Sequence, residues 1–141
     1  MPIDYFAALR STGEPLVDIA RFLAPRRPDT WQHVQAVARA AEELACRFGA
    51  DVRMARLAGH AHELAAVVPH AEIIPVAESW GVPLSEADRA IPQVVHGPLA
   101  AAVLHARLGV KDEPILDAVR YHTTLRQGAA LLEKIVFLAD K

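Results

Sequence analysis

Four of the seven histidines in this 141-residue chain occur at separated places on predicted helices, where they could converge with two carboxylates on a metal site. Imidazole is a ligand for iron, zinc, copper and nickel, and a carboxylate adds a harder oxygen that can bridge two ions. Such a set would suit two divalent transition metals, whereas magnesium prefers an oxygen shell. The residues are His33, His62, Glu63, His96, His122 and Asp140. Their spacing alone leaves open that they are solvated or core residues.

The other three histidines are interpreted differently. His60 lies two positions before His62, which places it on a roughly opposite face of a helix. His105 lies nine positions after His96 and is about half a turn out of phase with it, so we expect both to be structural or solvated. His70 follows a proline in the loop after His62, and it is a candidate for contact with a substrate.

The elements that must position these residues are predicted to be helices. Apolar residues recur at three- and four-residue spacing, and alternating apolar–polar runs are essentially missing, so no significant sheet is expected. The clearest helix covers about 31–48, where Asp29 or Thr30 can cap the start and Gly49 suits the end. Cys46 is expected in its core. Its apolar stripe comprises Val34, Val37, Ala38, Ala41, Leu44, Ala45 and Phe48. Further helices are predicted at about 51–66, 72–79, 98–108, 114–122 and 128–141.

The first part of the chain is predicted to be an addition to the main domain. Residues 1–29 are expected to form a helical extension packed on the core, and residues 30–141 the domain itself. Helical segments near 3–10 and 15–23 are expected within the extension. A proline-containing break over 24–29 then leads into the core.

Charge and composition exclude several classes of protein. Fifteen basic residues stand against 17 acidic ones, a formal net charge of −2, and no basic stripe dominates, so we expect no nucleic-acid partner. The single cysteine, Cys46, removes internal disulfides and a cysteine-based zinc site. The first residues do not form a signal-peptide pattern, and no apolar run approaches the roughly 18 residues of a membrane span. We therefore expect a cytoplasmic protein without a membrane partner.

Three stretches of sequence carry a resemblance to a known family. They are WQHVQAVARAAEELA from residue 31, IPQVVHGPLAA around His96, and AVRYHTTLRQGAALLEKIVFLADK over residues 118–141. Together with the order of the histidines and carboxylates, they resemble the HD superfamily of metal-dependent phosphohydrolases. More narrowly they are similar to its YqeK-type branch, the symmetrical bis(5'-nucleosyl)-tetraphosphatases, which hydrolyse diadenosine tetraphosphate. The resemblance covers about residues 30–141 and implies an all-α HD-domain helical bundle.

This resemblance implies a dinuclear metal centre and a hydrolytic reaction. The family's six ligand positions fall on His33, His62, Glu63, His96, His122 and Asp140. The implied metal is iron, with manganese, cobalt or zinc as alternatives. The implied reaction splits diadenosine tetraphosphate into two molecules of ADP through a metal-activated hydroxide, with Glu63 and Asp140 as catalytic carboxylates.

The expected partner is therefore a nucleotide or dinucleoside polyphosphate substrate, and a homodimer is one assembly considered. A polyphosphate needs hydrogen-bond donors and positive charge beyond the metals, and guanidinium offers bidentate contacts to phosphate. The candidate substrate-binding residues are Arg126, Lys134, Thr123 and His70.

Three positions depart from the family's pattern. Glu63 stands where the signature doublet has aspartate, and the extra methylene would move a bridging carboxylate by ~1 Å. Ala66 and Thr30 stand where the family usually has a lysine and an arginine, so two cations that could face a polyphosphate are absent. These departures leave two alternatives. One is a catalytically weakened HD protein acting as a metal- and nucleotide-binding module, and the other is an HD phosphohydrolase with another nucleotide substrate.

Overall fold

The apolar stripes of the sequence become helices that bury one face each in a common core. A computed structural model gives the protein's structure over residues 2–141. Within that range it has eight α-helices, three 3₁₀ turns and no strand, so the all-α prediction is confirmed. The helices are α1 (Pro15–Arg26), α2 (Pro28–Phe48), α3 (Val52–Ala61), α4 (Ile73–Ser79), α5 (Glu86–Ala90), α6 (His96–Leu108), α7 (Glu113–Arg120) and α8 (Leu131–Ala139). The 3₁₀ turns are Leu64–Val67, His70–Glu72 and Pro92–Val95.

Two glycines allow close approach between the helices that carry the candidate site. α2 and α3 share an extensive contact. A Cβ atom on Gly59 of α3 would lie only 2.6 Å from the Cα of Ala38 on α2. Gly97, near the start of α6, faces the backbone carbonyl of Arg120 at the end of α7 with no room for a Cβ. These contacts set how far apart the helix ends can lie.

The N-terminal segment differs from the predicted helix near 3–10. Residues 5–8 form a turn instead, and Phe6 and Leu9 are buried in the core. Arg107 of α6 holds this segment by donating hydrogen bonds to the carbonyl of Phe6 at 2.5 Å and to the carboxylate of Asp4 at 2.6 Å. Because these tertiary contacts fix both backbone and side chains, they override the local helical preference.

Helix ends account for the remaining differences. α1 continues through Pro25, so the predicted break over 24–29 is reduced to Arg27, which separates α1 from α2. The helix predicted over 51–66 ends at Ala61 and is followed by a separate 3₁₀ turn. An apolar pattern determines helix ends least well, because apolar residues can recur at helical spacing after the backbone has left the helical conformation.

The buried face of α2 agrees with the prediction except near its C-terminus. Val34, Val37, Ala38, Ala41 and Ala45 are buried as expected. Cys46 is exposed, so its placement in the core was wrong, and Phe48 is 57% exposed. Cys46 is one residue beyond the buried Ala45, and a rotation of about 100° per residue turns it away from the core. Phe48 is the last residue of the helix.

The first helix shares its core with the rest of the protein. α1 packs on α2 and α3, and Ile19, Phe22 and Leu23 belong to the same cluster of buried side chains as the later helices. The division of the chain at residue 30 stays a prediction. Over residues 2–141, the helices are too short or too polar to cross a membrane.

Candidate metal centre

Five of the six predicted ligands lie at or near helix ends that come together in space. His33 lies in the second turn of α2, His62 and Glu63 directly follow α3, His122 lies two positions after α7, and Asp140 directly follows α8. The side chains of His33 and Asp140 are in contact although they are 107 positions apart in the chain. Remote segments therefore contribute to one cluster, as the sequence predicted.

Asp140 is the carboxylate on which two of the histidines converge. Its Oδ1 atom lies 2.9 Å from Nε2 of His33 and 3.3 Å from Nε2 of His62. One donor atom from each of these three residues lies within 4.8 Å of the others, close enough to share an ion. The His62 side chain is fully buried, whereas that of His33 is 47% exposed, so the cluster opens to solvent on the His33 side.

Glu63 extends the cluster to a third histidine. Its Oε1 atom lies 3.4 Å from Nε2 of His122 and 3.9 Å from Nε2 of His62. The rings of His62 and His122 meet edge to face, with centroids 4.9 Å apart. Both carboxylates thus lie near Nε2 of the buried His62.

Backbone carbonyls fix the orientation of the two buried imidazoles. Nδ1 of His62 lies 2.6 Å from the carbonyl oxygen of Gly59, and Nδ1 of His122 lies 2.7 Å from that of Val119. A carbonyl can only accept, so each Nδ1 carries the hydrogen and donates it. Each carbonyl lies three positions before its histidine, near the end of a helix where carbonyls lack intrahelical partners. Both histidines lie within predicted helices, over 51–66 and 114–122, so the sequence offered no signal for this arrangement.

This donor set fits a divalent metal ion. With hydrogen on Nδ1, each Nε2 atom of His62 and His122 faces a carboxylate oxygen either with its lone pair or, when the ring is protonated, with an N–H that donates to that oxygen. Two acceptors facing each other at these distances repel unless a proton or a metal ion lies between them. Metal-binding histidines characteristically donate the other ring N–H to a carbonyl or carboxylate, as both do in this structure.

Both carboxylates are held in the charged form that a metal ion requires. Burial alone would raise the pKa of Asp140, but hydrogen bonds from His62 and His33 lower it to about 2. Burial would likewise raise the pKa of Glu63, and the hydrogen bond from His122 with the charges of the neighbouring imidazoles lowers it overall. Two anionic oxygens therefore face the imidazoles at neutral pH.

His96 is near this cluster but faces a different neighbour. It is the first residue of α6, its Nδ1 donates to the carbonyl of Gln93 at 3.2 Å, and its ring stacks on His70 with centroids 6.4 Å apart. Burial lowers the pKa of His96, which favours the neutral imidazole that binds metals. Among the described residues, no hydrogen bond or ion pair joins His96 to Asp140 or Glu63.

Arg126 is engaged by carboxylates of the protein. It donates to Glu133 at 2.8 and 3.0 Å and to Asp117 at 3.2 Å, and its guanidinium lies 4.4 Å from the ring centre of Tyr121. These carboxylates raise the pKa of Arg126 and offset its charge. The sequence did not suggest this buried partner. Its only sign was the position of Glu133 as the third residue of α8, where its carboxylate accepts from the Ala130 N–H at 3.0 Å.

The other candidates and histidines have environments of their own. Thr123 is exposed next to His122, and Lys134 is exposed on α8. His60 packs near Trp31, and its Nδ1 is bonded to the carbonyl of Arg56, while His105 is bonded to that of Val110. Both histidines thus have structural contacts.

Comparisons with known proteins agree with this geometry. The family model described as "HD domain" matches residues 30–141. The protein named symmetrical bis(5'-nucleosyl)-tetraphosphatase from Bacillus subtilis is 40% identical over 108 residues, which cover 77% of this chain and 58% of that relative. The protein of the same name from Halalkalibacterium halodurans is 36% identical over 112 residues, which cover 78% of this chain and 58% of that protein.

A solved structure is also similar. It is described as a "predicted HD superfamily hydrolase involved in NAD metabolism" from Clostridium acetobutylicum, and it superposes with a TM-score of 0.83 at 30% identity, covering 88% of this chain and 66% of that one. The chain thus spans 58% of the length of the two curated relatives. Because the family model matches 30–141, which is most of the sequence, the chain belongs to the HD domain family.

Proposed function

We propose that the chain is a metal-dependent phosphohydrolase that splits diadenosine tetraphosphate symmetrically into two molecules of ADP. The observation that carries the proposal is the pair of buried imidazoles, His62 and His122, whose Nε2 atoms are aimed by backbone carbonyls at the carboxylates of Asp140 and Glu63. The names of the relatives from Bacillus subtilis and Halalkalibacterium halodurans support the choice of substrate.

The proposed ligand set is that of the sequence prediction. It comprises His33, His62, Glu63, His96, His122 and Asp140. Iron is the proposed metal, with manganese, cobalt or zinc as alternatives that accept the same donors. When bound, two such ions would activate water and stabilise charge on the phosphate under attack. His96 is included because of the family resemblance, and its position in the structure is next to His70.

The residues of the chain have distinct proposed roles. Asp140 and Glu63 supply the negative charge that would retain the ions, and the carbonyl of Gly59 orients the buried His62 toward them. Thr123, exposed beside His122, is proposed to donate its hydroxyl to a phosphate oxygen. Lys134 and His70 are proposed to face the phosphates, and Arg126 is proposed to offer a phosphate the Nη1 hydrogens that its contacts with Glu133 and Asp117 do not use. A homodimer and a cytoplasmic location stay predictions.

A product analysis tests this function. The purified chain, loaded separately with Fe(II), Mn(II) or Co(II), should convert diadenosine tetraphosphate to ADP alone, as resolved by ion-exchange chromatography. His62→Gln should reduce the rate at least ~100-fold because it removes a buried ligand. The matched control His105→Gln, outside the cluster, should retain activity. AMP with ATP as products would contradict the symmetric reaction, and no turnover with any of the metals would contradict the hydrolase proposal.

A further inference from the structure

An open cleft lies against His96, on the side where its ring stacks with His70. The cleft has a volume of about 390 Å³. Its lining residues are Arg27, Ala66, Val67, Val68, Pro69, His70 and His96. His96 lines the cleft and also belongs to the proposed ligand set. The cleft would therefore adjoin a substrate that is held at the metal centre.

The charge of this cleft favours an anion. Its lining contains one guanidinium and two imidazoles, and no carboxylate. A second cleft of similar volume, between α5, α6 and α7, has a carboxylate, Asp88, in its lining as well as an arginine. The guanidinium of Arg126, by comparison, is already shared between Glu133 and Asp117. Arg27 is therefore the arginine best placed to offer positive charge next to the metal centre.

The structure also positions the Arg27 side chain firmly. Its Nη1 donates to the carbonyl of Ala66 at 2.5 Å, and Ala66 lies in the 3₁₀ turn that begins right after Glu63. The guanidinium is thus fixed relative to the proposed metal ligands. Its other contact, to Asp29 at 3.4 Å, is with a side chain that is 75% exposed, and such pairs are weak in water. A guanidinium has five N–H donors, and these two contacts leave three for a ligand.

We propose that Arg27, with His70 beside it, binds phosphate groups of the substrate's polyphosphate chain next to the phosphate held at the metal centre. The proposal rests on the proposed function for the identity of the substrate. Planar guanidinium N–H pairs match phosphate oxygens bidentately, and the carbonyl of Ala66 orients the group before the substrate arrives. Arg27 is a binding residue in this scheme, so its loss weakens affinity more than turnover.

Two measurements on the full chain test this inference. The first is the KM and kcat of the metal-loaded protein for diadenosine tetraphosphate. The second is calorimetric binding of inorganic tripolyphosphate to the same protein after chelation of metal, which does not depend on catalysis. The variants are Arg27→Gln, Arg27→Lys and the control Arg39→Gln. Arg39 is an exposed arginine on α2, the helix that begins directly after Arg27, and lies roughly 18 Å away along its axis, so Arg39→Gln removes the same charge at a distant place.

Arg27→Gln should raise both KM and the tripolyphosphate Kd about 10-fold or more, since a hydrogen bond to a charged group is worth at least that factor. Its kcat should stay within about threefold of wild type. Arg27→Lys should give an intermediate loss because it keeps the charge without the planar fork. Arg39→Gln should match wild type. Tripolyphosphate that fails to bind wild type, or binds all variants equally, would overturn the inference.

The two proposals can fail separately. Arg27-dependent binding of tripolyphosphate without hydrolysis of the dinucleotide would support the anion cleft and reject the hydrolase. Hydrolysis with unchanged KM and Kd in Arg27→Gln would support the hydrolase and reject the cleft. Melting curves of each variant establish that the comparison is between folded proteins.

Discussion

Glu63 contacts two histidines through a single oxygen atom. Its Oε1 lies 3.4 Å from Nε2 of His122 and 3.9 Å from Nε2 of His62. An aspartate at this position would be shorter by one methylene, which withdraws the carboxylate by roughly 1 Å or more. We therefore propose that glutamate serves as a ligand in this chain, at a length that suits the spacing of its two imidazoles.

Substitutions at Glu63 distinguish two hypotheses: that the glutamate serves as a metal ligand, and that it weakens the site. Glu63→Gln should lower kcat/KM at least ~100-fold and reduce the metal content, because an uncharged amide replaces an anionic ligand. Glu63→Asp should leave kcat equal or lower, as measured by initial rates with metal content determined in parallel. A tenfold or larger gain in Glu63→Asp would instead support the catalytically weakened module.

The predicted ligand set rests on the resemblance to the family, since residue types and spacing alone left it open, and neither showed how the side chains are arranged. In the structure His33, His62 and Asp140 lie together. His96 and His122 both lie in stretches that resemble the family. The ring of His96 nevertheless stacks on His70, whereas Nε2 of His122 lies 3.4 Å from Oε1 of Glu63. Their different directions depend on how two helices are rotated in the fold, and side-chain spacing along one helix carries no information about that rotation.

Among the elements, α3 shows why a helix end matters to the site. A continuing helix would turn His62 and Glu63 about 100° apart. α3 ends at Ala61, and Glu63 has non-helical angles, φ −107° and ψ 23°. The helix predicted to continue to 66 would separate these neighbours, whereas the observed end lets both reach the cluster. The middle of each helix follows from apolar spacing, but its last turn is set by tertiary contacts.

A substitution at Gly59 tests how closely α2 and α3 must pack. In a helix interior, glycine to alanine normally stabilises by roughly 0.5–1 kcal/mol. Gly59→Ala should instead destabilise by about 1–3 kcal/mol, because its Cβ would lie 2.6 Å from the Cα of Ala38. Urea denaturation measures the change. Arg53→Ala, exposed on the same helix, should stay within about 0.5 kcal/mol, and increased stability of Gly59→Ala would contradict the packing argument.

The start of α8 is held by a buried carboxylate. The Glu133 side chain is only 2% exposed and accepts from Arg126 and from the Ala130 N–H. Burial alone would raise the pKa of Glu133, but the hydrogen bonds from Arg126 and Ala130 outweigh it and lower the pKa. The folded state therefore binds this proton less readily than the unfolded state, whose glutamate titrates near 4.3.

The sign of this shift gives a pH dependence of stability. The ionised Glu133 should stabilise the fold fully above the unfolded pKa, and this contribution should be lost as pH falls through the lower folded pKa. Glu133→Gln should cost about 1–3 kcal/mol at pH 7 and progressively less below about pH 4. Unfolding free energies from pH 3 to 7 measure the difference from wild type. A constant difference would be inconsistent with the shift, and exposed Glu43→Gln should have little effect at any pH.

At the scale of the whole molecule, metal binding should be visible as stability. A ligand that binds only the folded state adds about 2.7 kcal/mol at a hundredfold excess over its Kd. Addition of Mn(II) should therefore raise the melting temperature by several degrees, and a chelator should reverse the rise. Calorimetry or differential scanning fluorimetry records the change.

Variants define where that stabilisation originates. His33→Gln and Asp140→Asn should each reduce the metal-induced rise in melting temperature, because both remove donors from the same cluster. His60→Gln should keep it, since this ring lies against Trp31 and the carbonyl of Arg56. A rise of full size in all variants would place the ion elsewhere.

The contact between His33 and Asp140 closes a loop of 107 positions. An ion held by both side chains would act as a removable crosslink between a helix near the beginning of the family domain and the last one. Closing so long a segment costs the unfolded chain considerable entropy. We therefore expect ion capture to stabilise the folded arrangement of α2, α3 and α8, in which the two side chains already lie together, and ion release to loosen the two distant segments together.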